Sequence, residues 1–146
     1  NQITTAVLPE PQASMVLDKK KNLKRVFILK NEWKKANGQN SIPQVAIFAS
    51  QSVINKNKNL INTLAKEYKN SLVWMNKSKN EAAKFGIEVF QVALSETAFE
   101  NSIDNMNLVY IEGLVAKKSV DTYLNALKSI DANAMSKIPG ADFYKK

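Results

Sequence analysis

The 146-residue chain contains neither cysteine nor histidine. Those two absences exclude thiol nucleophiles, disulfides, Cys/His zinc sites and the commonest general base. Lack of cysteine fits an exported protein without disulfides and a cytosolic one equally well. Glycine is scarce, with four residues lying far apart at expected turns, so no glycine-rich phosphate loop is present. Arg25 is the sole arginine. The formal charge of +8 therefore rests almost entirely on lysine, which lacks the planar fork that grips phosphates and base edges. The lysines at 19–21, 34–35 and 117–118 are scattered beside expected turns and helix ends, the pattern of a solvated surface. No apolar run reaches the length of a membrane span, and no basic start with an apolar stretch marks a secretory signal. Any targeting segment is expected outside this chain. Internal repeats and low-complexity segments are also missing.

What is present is 45% hydrophobic residues, enough for one domain, or one lobe of a larger protein, with a real core. The chain is organised around residues 42–83. An apolar run at 43–49 is followed by a short polar turn and then by the longest helical pattern, 57–76. Leu60, Leu64, Tyr68, Leu72 and Met75 recur at intervals of four and three, and Ile61 and Ala65 widen the stripe, so one face of this helix is expected to be buried. Asn57 occupies an N-cap position, and Ser78 with Glu81 reads as a capping box opening a second helix. Trp74 is expected in the core; Trp33 is expected to pack inward from a short helical turn.

Taken in order, residues 3–8 read as a buried strand, stopped by Pro9, Glu10 and Pro11. Pro11 then opens a helix with Ala13, Val16 and Leu17 on its apolar face. Free N–H groups at such a start suit an anion or a polar ligand, although a Pro-Glu-Pro corner is also an ordinary rigid bend. Residues 23–29 predict a second strand, 31–36 a turn or two of helix closed by Asn37-Gly38, and 44–50 a third strand inside a sheet. Gly86 is expected to end the helix that Ser78 begins, and 87–94 to be a strand or an extended connection. Ser95 caps a short helix through Ile103, and 108–111 is strand-like. A strongly periodic helix follows from Val115 onward with Val120, Tyr123, Leu124, Leu127 and Ile130 inward. Ile138-Pro139-Gly140 predicts a turn, and Phe143-Tyr144 an aromatic anchor for the tail. Strands alternating with helices predict an α/β domain with a mixed or parallel sheet.

Several segments in the same order resemble the substrate-binding proteins of ABC importers, in the nitrate, sulfonate, taurine and thiamine-precursor group. They are Thr5-Ala6-Val7-Leu8-Pro9-Glu10-Pro11 with Ala13-Ser14, Asn22-Leu23-Lys24-Arg25-Val26 leading to Glu32-Trp33, and Ile42-Pro43-Gln44-Val45-Ala46. The pattern continues through Asn57, Leu60, Tyr68, Trp74-Met75-Asn76 and Glu81-Ala82-Ala83, and ends with Lys137-Ile138-Pro139-Gly140-Ala141-Asp142-Phe143-Tyr144. Lys58 and Lys79 depart from it, standing where the family often has a first-turn proline.

The resemblance implies the C-terminal part of a two-lobed periplasmic-binding-protein (type II) fold, a mixed sheet flanked by helices. In that reading residues 1–41 end one lobe and residues 42–146 form the return crossing and the helices of the other. The implied function is the capture of a small solute, an oxyanion, sulfonate or heteroaromatic precursor, and its delivery to a membrane permease. No catalysis, cofactor or metal is implied. The implied setting is periplasmic or lipoprotein-anchored at the cell surface. The expected companion is a missing N-terminal half or a second copy of the chain, and not nucleic acid. The candidate ligand-binding residues are Pro9, Glu10, Pro11, Ser14 and Gln44. Glu10 can accept hydrogen bonds from an amine or pyrimidine, the Ser14 hydroxyl and nearby N–H groups suit an anion, and the Gln44 amide serves either. Two other readings compete. A basic α/β module for nucleic acid or a protein partner needs its lysines on one face, interleaved with aromatics. A thiamine-pyrimidine synthase-like enzyme needs a histidine and a cysteine-rich iron site that this chain does not offer.

Overall fold

A computed structural model describes residues 4–144. Among them are seven α-helices: α1 (Gln12–Lys19), α2 (Leu29–Asn37), α3 (Gln51–Lys56), α4 (Lys58–Lys77), α5 (Lys79–Phe90), α6 (Glu96–Met106) and α7 (Gly113–Ile130). A single 3-10 turn, Ala141–Phe143, follows. Helices account for 62% of the structure and no strand forms among the described residues, which overturns the α/β mixed-sheet expectation. A strand persists only beside a neighbour that takes up its N–H and C=O groups. The apolar segments 4–8, 23–28, 44–50 and 108–111 have no such neighbour and remain irregular. Ile3, the first residue of the earliest expected strand, lies outside the described residues.

The chain forms two units, one from residues 1–24 and 54–110, the other from residues 25–53 and 111–146. In unit 1, α6 packs on α5 and α1, and α4 touches both α5 and α6. Their shared core is Ala82, Ala83, Phe99 and Ile103, flanked by Met75, Ile87, Val92, Leu94 and Met106. Small residues on α5 let α6 approach closely. Gly86 shows how close: a Cβ there would lie 2.5 Å from Cζ of Phe99. Gly86 therefore sits inside α5 rather than ending it, because ring packing outweighs its roughly 1 kcal/mol helix penalty. The turn comes later, at Gln91, in the left-handed conformation.

Ser95 caps α6 as expected, its Oγ accepting from the Ala98 N–H at 3.1 Å. Asn57 and Ser78 occupy the N-cap positions of α4 and α5, yet neither side chain makes the capping bond. The stripe of α4 is only partly used. Met75 reaches the core, whereas Leu60 and Leu64 remain 58% and 47% exposed. Trp74 is no core residue either; it is exposed and meets Phe85 edge-on at 6.2 Å.

Unit 2 is built on α2, α7 and the 3-10 turn. Gly38 ends α2 in the left-handed conformation, its N–H donating to the Lys34 carbonyl at 2.8 Å. Trp33 is half-buried and packs edge-on against Tyr123 of α7 at 5.8 Å. Phe143 meets Phe48 at 6.0 Å, and Lys117 Nζ lies 5.9 Å from the Tyr144 ring centre. No described residue of this unit is fully buried. Residues 44–50, expected inside a sheet, expose Val45 at 85% and Phe48 at 72%.

Candidate functional site

The corner before α1 gathers four of the five sequence-selected residues. The Pro9 carbonyl accepts from the Ala13 N–H at 2.9 Å and the Pro11 carbonyl from the Met15 N–H at 3.0 Å, so the first turn closes directly on the prolines. The Glu10–Pro11 peptide is cis. Pro11 precedes the helix and has no side chain able to cap it. Glu10 takes over that role: its Oε2 accepts from the Ser14 backbone N–H at 3.1 Å. A carboxylate here also answers the positive end of the helix dipole. Pro9 is exposed, Glu10 and Pro11 are half-buried, and Ser14 is buried. Gln44 is exposed and belongs to unit 2.

This arrangement decides what the corner can accept. The Ser14 N–H, which would otherwise receive an anion, is already occupied by the chain's own carboxylate. A negatively charged solute must displace Glu10 to reach it. A solute carrying N–H donors instead meets an oriented acceptor.

The other end of α1 is tied to α6, and this holds the corner in place. Asp18 accepts from the Ser95 hydroxyl at 3.1 Å through Oδ2 and from Lys21 Nζ at 3.2 Å through Oδ1. The Lys21 bond chiefly, and the Ser95 bond next, hold the Asp18 carboxyl below the usual carboxylate range. Ser95 thus accepts from its own helix while donating to α1. A shallow open depression of about 480 Å³ lies elsewhere in unit 1, where α4 meets α5, lined by Asn76, Ser78, Lys79, Glu81 and Glu100 among others. Lys79 above it pairs with Asp104 of α6 at 2.6 Å. Among the described residues no cluster of acidic side chains is placed to hold a metal ion.

Unit 2 contains a polar constellation that the sequence reading did not single out. Gln39 Nε2 donates to the Thr122 hydroxyl at 2.7 Å, while Lys117 pairs with Asp121 one turn along α7. Burial raises the Tyr144 hydroxyl above its ordinary range, the Asp121 charge adds to this, and Lys117 opposes it. Four buried polar atoms find no partner among the described residues: Trp33 Nε1, Gln39 Oε1, Asp121 Oδ1 and the Tyr144 hydroxyl. All four belong to unit 2. The spacing of Lys117 and Asp121 was a legible signal; the approach of Gln39, 83 residues from Thr122, was not. Compared with family models, with curated proteins and with solved structures, this chain matches none.

Proposed function

We propose that this protein is a solute-binding component of an ABC importer and that the corner at Pro9, Glu10 and Pro11 contacts the solute. Two things support the reading: the order of sequence segments, which resembles that group of binding proteins, and the way Glu10 is presented at the start of α1. Binding shifts a conformational equilibrium, and a membrane permease reads the bound form. No covalent step is needed.

The Glu10–Ser14 bond favours one solute class over the others. Because the helix-start amide is already filled by a carboxylate, a heteroaromatic or amine-bearing solute fits better than nitrate or a sulfonate. Thermal unfolding against hydroxymethylpyrimidine, riboflavin, nitrate, taurine and an alkyl sulfonate tests this. A solute that binds only the folded chain stabilises it by roughly 2.7 kcal/mol at a hundredfold excess over its dissociation constant. We expect a saturable shift with a nitrogen heterocycle, lost in Glu10→Ala. A shift with nitrate that survives Glu10→Ala would sink the preference for heterocycles. No shift with any member would sink the importer reading.

A further inference from the structure

Asn37 is the only asparagine of the chain that is followed by glycine. In such a pair no side chain shields the following backbone nitrogen, which can attack the asparagine's own amide carbon. Space for this exists here: a Cβ built on Gly38 would meet no atom within 4 Å. Two hydrogen bonds hold the reacting groups apart. The Gly38 N–H donates to the Lys34 carbonyl at 2.8 Å, and Asn37 Nδ2 donates to the Trp33 carbonyl at 3.4 Å, which turns the amide back along the helix. Both bonds belong to the last turn of α2, and helix ends open more readily than cores.

The ties between α2 and α7 lie around the same turn. Trp33 packs edge-on against Tyr123, and Gln39 Nε2 donates to the Thr122 hydroxyl at 2.7 Å. These two contacts stand on either side of Asn37 in the chain. Gln39 therefore restrains the fraying that a reaction at Asn37 requires.

We propose that Asn37 is a site of spontaneous deamidation, gated by fraying of the last turn of α2, and that its products unpin α2 from α7. The inference is independent of the importer reading. Hydroxide removes the Gly38 amide proton and the nitrogen bonds to Cγ of Asn37. The side-chain amide then leaves as ammonia, with a proton returned from water. Water opens the resulting cyclic imide at either carbonyl, giving aspartate or isoaspartate. Aspartate loses the donor to the Trp33 carbonyl and sets a negative charge at the negative end of the helix dipole. Isoaspartate adds a methylene to the main chain ahead of Gly38, which shifts Gln39 out of register with Thr122. Each product favours the frayed turn, so the change runs in one direction.

Peptide mapping by mass spectrometry follows the reaction in the whole chain at mildly alkaline pH. We expect aspartate and isoaspartate at position 37, forming on the order of tenfold more slowly in buffer than in the same chain unfolded by urea. Gln39→Ala should raise the folded-state rate roughly threefold, the worth of one hydrogen bond, and leave the rate in urea unchanged. Far-UV circular dichroism checks that this variant keeps its helices. Hydrogen exchange of the Gly38 amide in the unaltered chain supplies a second readout, because exchange and deamidation need the same bond to open. Urea below the unfolding range should raise both by the same factor. With Trp74→Phe leaving Trp33 as the sole tryptophan, Asn37→Asp should shift its emission toward that of a solvated indole. No product at position 37 overturns the site. Equal rates in buffer and urea, indifference to Gln39→Ala, or exchange that does not follow deamidation overturns the gate. Unchanged Trp33 emission in Asn37→Asp overturns the unpinning.

Discussion

Both units are built from helices and differ in what those helices have to pack against. In unit 1, α5 and α6 meet through alanines and a glycine, which allows Phe99 and Ile103 to be enclosed. In unit 2, α7 is 18 residues long and strongly periodic, but α2 and the 3-10 turn leave much of it uncovered. Leu114 and Ile130 at its ends remain 61% and 84% exposed. An amphipathic helix is therefore a demand for burial and not a supply of it. Unit 1 supplies the opposing surface from its own chain for one face of α5 and α6, though not for Leu60 and Leu64 of α4, whereas no described residue of unit 2 is fully buried.

The same substitution placed in each unit is the strongest way to break this comparison. Ile103→Ala in unit 1 removes a side chain only 2% exposed and should cost about 2–5 kcal/mol in chemical denaturation. Ile130→Ala in unit 2 should cost less than about 0.5 kcal/mol, the range of ordinary surface changes. Comparable losses would show that Ile130 is covered in solution and that the contrast is false. Next in size is Gly86→Ala, which favours helix by roughly 1 kcal/mol but drives a methyl group into Phe99. Overpacking of this kind costs about 1–3 kcal/mol, so we expect net destabilisation. A stabilised Gly86→Ala variant would mean the Phe99 ring can swing aside.

Smaller effects sharpen the picture of how unit 1 is tied together. Ser95→Ala loses the cap on α6 and the bond to Asp18, and should cost about 1 kcal/mol. The Asp18 carboxyl, followed by nuclear magnetic resonance titration, should then rise toward its ordinary value, though not fully, because the larger influence of Lys21 remains.

The two perturbed groups also predict pH effects of opposite sign. Asp18 is held low in the folded chain, so its contribution is present above the ordinary carboxylate range and is lost as pH falls through the lowered value. Tyr144 is held high, so its contribution is present below its ordinary value of 10.0 and is lost as pH rises through the raised one. Spectrophotometric titration compared with Tyr144→Phe should assign to Tyr144 a phenol that ionises above its ordinary value.

Much of the helical content is legible in the residues. Asn37-Gly38 ends α2, Ser95 opens α6, and the spacing of Val120, Tyr123, Leu124 and Leu127 marks α7, because caps and helical periodicity act within a few residues of chain. The errors concern longer range. Apolar, β-branched runs such as 44–50 describe a preference for strand that needs a hydrogen-bonding neighbour, and local composition does not say whether one is present. Gly86 reads as a helix terminator until Phe99, thirteen residues further on, is seen to need its bare backbone. In the candidate site, Pro9, Glu10, Pro11 and Ser14 could be grouped from the sequence because they are neighbours in it. That Glu10 fills the Ser14 amide itself, and that Gln44 stands in the other unit, depended on the fold.

By itself the amino-acid sequence determined the exclusion of thiol and imidazole chemistry, the lysine-based positive charge, the positions of most helices and the proline corner that carries Glu10. These are properties of composition or of contacts between near neighbours. Only the tertiary structure decided which apolar faces are buried, which caps are made, and that a core closes over α5 and α6 but not over α7. Burial requires a second surface at the right distance, and that is set by residues far apart in the chain.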